Sequence, residues 1–191
     1  PMRIVQSRTL ARTGPQVDDF LAGIGELGPK LGAVVWQFDA GPPLERDAFA
    51  AFLELLPRTL GGRRLRHVLD VRQPAFVDEA LLALARGHGM ALVFTDSPEH
   101  PSFADVTADF VYARLMRARS GEPAGYPEVE LDAWAGRARQ WAAGGEPADL
   151  PRIGAAAPEA AHRDVFVFFI SAAKERNPAA AMALMRHLRA H

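Results

Sequence analysis

Cysteine is absent from the 191-residue sequence. Its absence excludes disulfide bonds, thiolate nucleophiles and zinc sites with cysteine ligands, so a metal would have to bind histidine, aspartate or glutamate. The six histidines are mostly well separated along the chain, which disfavours a preassembled histidine site. Asp39, Asp70 and Asp96 suit a hard cation such as Mg²⁺, but arginines near them would compete with it. We therefore predict no metal site, and the sequence identifies no cofactor.

Long apolar runs and an excess of one charge are also missing. No apolar run approaches the roughly 18 residues of a membrane-spanning helix, and the first residues lack a secretion-signal pattern. The 22 basic residues nearly balance the 23 acidic ones, so no overall field attracts nucleic acid or an anionic membrane. The basic residues are not interleaved with exposed aromatic ones either. These features predict a cytoplasmic protein with no membrane partner and no strong nucleic-acid signal.

Motifs that would identify a reaction are absent too. No G-x-G-x-x-G or G-x-x-x-x-G-K-[ST] motif joins a predicted strand to the helix that follows it, which argues against a doubly wound nucleotide-binding sheet. The absence of G-x-S-x-G disfavours hydrolysis by a serine nucleophile.

What the chain does contain is an alternation of apolar segments and amphipathic stripes. With 49% hydrophobic residues it can form one core, and we predict a single domain over residues 1–191. Apolar segments without polar alternation, typical of buried parallel strands, lie at 2–6, 33–38, 65–71, 90–95, 109–115 and 165–170. Most of the stretches between them have helical spacing, as in Val17, Phe20, Leu21 and Ile24. Residues 142–163, rich in Ala, Gly and Pro, are predicted to form a flexible connection.

This order of elements predicts an α/β fold with a parallel sheet and right-handed crossovers. A TIM-barrel-like (β/α) barrel fits better than an open sheet, because the nucleotide loop of the open sheet is missing. A complete barrel takes roughly 250 residues and eight strands. The six predicted strands therefore indicate an incomplete barrel.

Several blocks of sequence carry a family resemblance. They are Leu-Gly at 31–32 with Trp-Gln-Phe at 36–38, Leu-Arg-His at 65–67 with Asp-Val-Arg at 70–72, Thr-Ala-Asp-Phe-Val-Tyr-Ala-Arg-Leu at 107–115, Gly-Tyr at 125–126, and Asp-Val-Phe at 164–166 with Lys174. They run in order along nearly the whole chain. In these blocks the chain resembles the YecE-like family, which is domain of unknown function family seventy-two.

The resemblance implies a TIM barrel, in agreement with the strand count, but it brings no activity. Members usually begin with a further stretch that carries a Gly-x-Ser-Gly-Trp-like strand, which is absent here. Either the sequence is a piece of a longer protein or the exposed strand edges are covered in another way, as in a homo-oligomer. The chain also departs from two motifs that are common in the family. Gln73 is at the position of the histidine of Glu-x-Arg-His, and Met116 is at the position of the histidine of Arg-Leu-His-Gly.

Polar residues at the carboxyl ends of the predicted strands form the candidate site, because ligands bind at that edge of α/β proteins. We predict Asp70 as acid or base and Arg72 as an anion-orienting group. The predicted ligand-binding residues are Gln37, Asp96, Arg114, Ser171, Lys174 and Arg176. The last three flank the start of a helix predicted from Asn177 and Pro178, where we expect a phosphate or sulfate.

Three classes of function remain open. The first is an enzyme that acts on a small anionic or polyhydroxylated molecule. The second is a noncatalytic ligand sensor that uses the same pocket, and the third is a protein-interaction module. The site residues also have a purely structural interpretation. Asp70 and Arg72 would pair with each other to satisfy polar atoms at the edge of the barrel, and Lys174 and Arg176 would simply be solvated.

Overall fold

The computed structural model describes residues 1–157 and 162–190, and the chain divides into two compact units, Pro1–Ala91 and Leu92–His191. Both units are mixed α/β structures in which the longer strands pair in parallel. The α/β class and the parallel pairing predicted from the buried apolar segments are confirmed.

The first unit is built around two parallel strands. Its elements are α1 Met2–Val5, α2 Gly14–Gly25, β1 Ala33–Phe38, α3 Arg46–Glu54, β2 Thr59–Leu60, β3 Arg63–Arg64, β4 Arg66–Val71 and α4 Glu79–His88. Strands β1 and β4 pair in parallel, with Gln37 opposite Asp70. The short strands β2 and β3 form an antiparallel hairpin that the sequence analysis did not predict.

Trp36 is the centre of the core of this unit. It is completely buried, and its ring packs edge-on against Phe20 and Phe52, at centroid distances of 5.6 and 5.4 Å. Its indole N–H donates to Nδ1 of His67 at 3.0 Å. Because Nδ1 accepts, Nε2 carries the proton and donates to the carbonyl oxygen of Pro57 at 2.8 Å. The buried histidine is therefore neutral, and it joins β4 to the segment after α3.

The second unit has three parallel strands and two long helices. Its elements are β5 Ala91–Thr95, β6 Phe110–Leu115, α5 Glu128–Ala142, β7 Asp164–Phe169 and α6 Asn177–Arg189. Strand β6 pairs in parallel with both β5 and β7, and Arg114 lies opposite Thr95 on one side and Phe168 on the other. Alternate residues of β6, such as Ala113 and Leu115, belong to one buried cluster with side chains of α5 and α6.

Residues 2–6 were predicted as a strand, and that prediction was wrong. They form the one-turn helix α1, in which the N–H groups of Val5 and Gln6 donate to the carbonyls of Pro1 and Met2. A short apolar segment is ambiguous between helix and strand, and local hydrogen bonds decide it here. The described residues therefore contain five parallel strands rather than six.

The sequence predicts a helix that begins at Pro74 and another that Asn177 caps, and both starts need correction. Pro74–Phe76 forms a 3-10 turn, and α4 begins at Glu79 because Asp78 caps it by accepting a hydrogen bond from the Leu81 N–H at 3.0 Å. Asn177 is the first residue of α6 rather than its cap. In the predicted flexible connection, residues 143–157 and 162–163 form neither helix nor strand, and residues 158–161 lie outside the described residues. Within the described part of the chain, no helix is long and apolar enough to span a bilayer.

Candidate functional site

The carboxyl ends of β1 and β4 bring Asp70, Arg72 and Gln37 together, as the sequence predicted. Asp70 is buried, with 6% of its surface exposed. The Nη2 and Nε atoms of Arg72 lie 3.1 and 3.2 Å from Asp70 Oδ2. The same guanidinium donates to Gln37 Oε1 at 3.1 Å and lies 3.3 Å from Asp39 Oδ1. Asp70 and Arg72 therefore form a desolvated ion pair on one face of the strand.

Two glutamines complete this cluster. Gln37 Nε2 donates to Asp39 Oδ1 at 2.9 Å. Gln73 donates to the carbonyls of Asp39 and Pro42 and accepts from the Leu44 N–H, so it orders the loop after β1. The cluster combines one guanidinium with two carboxylates, which suits a ligand hydroxyl or amine better than an anion.

In the second unit, Asp96 follows β5 and accepts hydrogen bonds from two residues of the loop between β6 and α5. Its Oδ1 accepts the Met116 N–H at 2.6 Å, and its Oδ2 accepts the Tyr126 hydroxyl at 3.2 Å. That hydroxyl in turn accepts the Arg117 N–H at 2.7 Å. Burial raises the pKa of Asp96, and burial together with the nearby Asp96 raises the pKa of Tyr126. Since its carboxylate is already engaged, Asp96 positions the loop after β6.

The loops that follow β6 and β7 run side by side. The Ile170 N–H donates to the Leu115 carbonyl at 3.0 Å, and Arg176 Nε donates to the Ser120 carbonyl at 3.2 Å. Gly125, with a φ of 71°, allows this approach, because an added Cβ would lie 3.0 Å from the Cβ of Arg176.

The predicted anion-binding segment is the start of the loop after β7. Ser171 and Ala172 both adopt left-handed backbone conformations, with φ values of 61° and 46°. Such conformations are uncommon for residues with a side chain and are held by the surrounding structure. Lys174 is exposed at the surface, and Arg176 is half-buried. Together with Arg114, these residues lie at the same edge of the three strands.

The sequence analysis missed an aromatic surface on β6 and β7. Phe110 and Tyr112 on β6 lie on the same face as Phe166 and Phe168 on β7, opposite to the helix-packed cluster. The signal was present in the sequence, because each pair is spaced i, i+2, which places both rings on one face of a strand. The guanidinium of Arg114 lies over the Tyr112 ring, 5.8 Å from its centroid.

Other features of the chain give no site. Within residues 1–157 and 162–190, no group of three His, Asp or Glu side chains is arranged to hold a metal ion. His187 and His191 have H-x-x-x-H spacing, but His191 lies outside the described residues. Gly23, Gly25 and Gly28 have G-x-G-x-x-G spacing at the end of α2, not between a strand and a helix. A cavity of about 690 Å³ between α3 and α4 contains none of the predicted site residues.

Comparison with known proteins identifies the family of this chain. The family model described as "Protein of unknown function DUF72" matches residues 1–191, which confirms the predicted YecE-like resemblance, since both names denote one family. The fold is similar to crystal structures of DUF72 family proteins from Thermotoga maritima MSB8, at 18% identity and a TM-score of 0.63, and from Enterococcus faecalis V583, at 17% and 0.63. These alignments cover 93% and 91% of this chain but only 65% and 68% of the two proteins. No curated protein matches the chain.

Proposed function

The chain belongs to the DUF72 family, whose function is unknown. We propose that it binds a small anionic molecule, phosphorylated or sugar-like, at the carboxyl ends of β6 and β7. The observation that carries the proposal is the charge at this edge. Arg114, Lys174 and Arg176 supply three cations, against the two carboxylates of Asp96 and Glu175. A surplus of cations at a strand edge favours an anion.

The loop after β7 supports the proposal because hydrogen bonds hold it in place without a ligand. Before Lys174, the N–H groups of Ile170 and Ala173 donate to carbonyls at the end of β6 and in the loop after it, and after Lys174 the Arg176 side chain donates to the Ser120 carbonyl. The 13-residue helix α6 then begins at Asn177, so its N-terminal dipole favours a negative charge at this edge. A preorganised site loses less conformational entropy when a ligand binds.

Inorganic phosphate is the probe that tests the proposal, by isothermal titration and by thermal unfolding. Phosphate should raise the melting temperature because it binds the native state. Lys174→Ala should weaken phosphate binding roughly 5- to 10-fold, as expected for one charged contact near water. The other lysine, Lys30, is also exposed and lies in the first unit, so Lys30→Ala is the matched control. Equal losses in the two variants, or no binding to the unmodified protein, would refute the proposal.

Catalysis by Asp70 and Arg72 is a second candidate function, and it concerns the first unit. The observation in its favour is a buried carboxylate, 6% exposed, held by a guanidinium at a strand end. An Asp70→Asn variant separates the possibilities once a ligand is known. An enzyme would lose turnover while it retains affinity, whereas a noncatalytic sensor or interaction module would have no turnover to lose.

We propose further that residues 1–191 form one domain of the (β/α) barrel type and that a homo-oligomer covers the open strand edges. Support comes from the parallel pairing of β1 with β4 and of β6 with β5 and β7, and from the intervening helices. Sedimentation equilibrium tests the oligomer, because a mass equal to that of one chain would exclude it. Two separate unfolding transitions would argue against a single domain.

A further inference from the structure

The Asp96 carboxylate is connected to the proposed anion site by a series of hydrogen bonds. One of its oxygens accepts the Met116 N–H, and the other accepts the Tyr126 hydroxyl. The Tyr126 oxygen itself accepts the Arg117 N–H. Since β6 ends at Leu115, the carboxylate holds the first two residues of the loop after β6, one directly and one through Tyr126.

The same loop holds the segment that carries the proposed anion-binding residues. The Ala118 carbonyl accepts the Ala173 N–H at 3.3 Å, and the Ser120 carbonyl accepts Arg176 Nε at 3.2 Å. Ala173 and Arg176 lie on either side of Lys174 in the chain. The position of Lys174 and Arg176 therefore depends on the loop after β6, and the position of that loop depends on Asp96.

We propose that Asp96 regulates the anion site with pH: the ionised carboxylate holds the loop after β6 and, through it, Lys174 and Arg176, and protonation weakens anion binding. This inference rests on the proposed function and adds the regulation of the same site. A protonated carboxyl has an O–H donor in place of one acceptor, so it no longer accepts from both Met116 and Tyr126. A loop that is held less firmly loses more conformational entropy when an anion binds.

Other charges near this network favour the opposite pH dependence. Arg117 and Glu130 face Asp96 and Tyr126, and Glu175 follows Lys174 in the loop after β7. Arginine keeps its charge, and hydrogen bonds lower the pKa of Glu175. Burial raises the pKa of Asp96, so it takes up a proton at a higher pH than an exposed aspartate does. Every proton taken up makes the protein more positive, which by itself strengthens anion binding. A fall in affinity at low pH would therefore indicate the loop and not the charge.

Sulfate titrations between about pH 7 and about pH 4.5 test the inference, because sulfate, unlike phosphate, keeps its charge in this range. Far-ultraviolet circular dichroism checks that each protein is folded. The affinity of the unmodified protein should fall about two- to tenfold, as expected for the loss of one hydrogen bond. Asp96→Asn cannot ionise, so it should bind sulfate at neutral pH as weakly as the unmodified protein does at the lowest pH, without a further fall. Tyr126→Phe should weaken binding at neutral pH by a similar factor.

Thr107→Val is the matched control. The Thr107 hydroxyl oxygen accepts the buried Leu92 N–H at 3.1 Å, near the amino end of β5. Like Tyr126→Phe, this variant leaves a backbone N–H without its acceptor, but at the opposite end of the strand from Asp96. It should leave the affinity for sulfate unchanged.

The outcomes separate this inference from the function on which it rests. If the unmodified protein binds no sulfate at any pH, the proposed function itself fails. If it binds sulfate more tightly as the pH falls, or if the fall persists in Asp96→Asn, the anion site stands and its regulation by Asp96 is overturned. If Tyr126→Phe weakens binding no more than Thr107→Val does, the loop after β6 does not position the site, and the inference is overturned as well.

Discussion

Replacing Arg72 with methionine removes the cation beside Asp70 while it keeps a long apolar side chain. The side chains of Asp70 and Arg72 are only 9% and 16% exposed, so little water can take the place of the lost contacts. Removing one partner of a buried ion pair costs about 3–5 kcal/mol. Residual exposure lowers our expectation to a loss of about 2–4 kcal/mol in the free energy of unfolding. At about 2–4 °C per kcal/mol for a chain of this size, the melting temperature should fall by roughly 4–16 °C.

Urea denaturation followed by far-ultraviolet circular dichroism measures this loss. Adding Asp70→Asn to Arg72→Met should restore about half of the lost stability or more, because the neutral amide no longer needs a cation. Arg119→Met is the matched control. Arg119 pairs with Glu130, but their side chains are 46% and 38% exposed. Its loss should stay below about 1 kcal/mol. If Arg72→Met costs no more than Arg119→Met, Asp70 is not held by a desolvated ion pair and our reasoning about this cluster is wrong.

Two further predictions concern buried hydrogen-bonding groups. Burial lowers the pKa of His67 below its usual 6.5, so the neutral histidine stabilises the fold fully above about pH 6.5. This contribution is lost as the pH falls from there towards the lowered pKa, because the unfolded chain binds a proton that the folded chain does not. Urea denaturation between about pH 8 and pH 5 should therefore show that the free energy of unfolding falls more steeply with pH in the unmodified protein than in a His67→Gln variant. Equal slopes in the two proteins would contradict this prediction. Tyr126→Phe should cost about 1–3 kcal/mol because it leaves the Arg117 N–H without its acceptor, and an unchanged urea midpoint would disprove that role.

The local sequence pattern was sufficient to predict the helices and strands whose hydrophobic residues have a clear spacing. The spacing of Val17 and Leu21 predicted α2, in which both side chains are buried, and the apolar run at 33–38 predicted β1 with the correct bounds. Pattern failed at residues 2–6, where a short apolar segment fits both helix and strand. It also missed the cap at Asp78, whose side chain sets the start of α4 through a single hydrogen bond.

The candidate-site residues likewise include some that the sequence predicted and some that it did not. Asp70 lies on β4 and Arg72 directly follows the strand, so their spacing of two residues already indicated the same face, and the structure has them in contact. The role of Asp96 was not predictable, because its partner Tyr126 is 30 residues away and is brought near by the loop after β6. The same holds for Phe168, whose neighbour Arg114 is set by the register between β6 and β7.

Sequence alone determined the family, the alternation of strands and helices, and the polar residues at the strand ends, since these depend on residue type and on spacing along one element. Tertiary structure alone decided which polar groups are already satisfied and which remain available to a ligand. The physical reason is that burial and hydrogen-bond pairing arise between segments far apart in the chain. Whether Asp96 is occupied, or the ring of Phe168 accessible, therefore depends on how those segments pack.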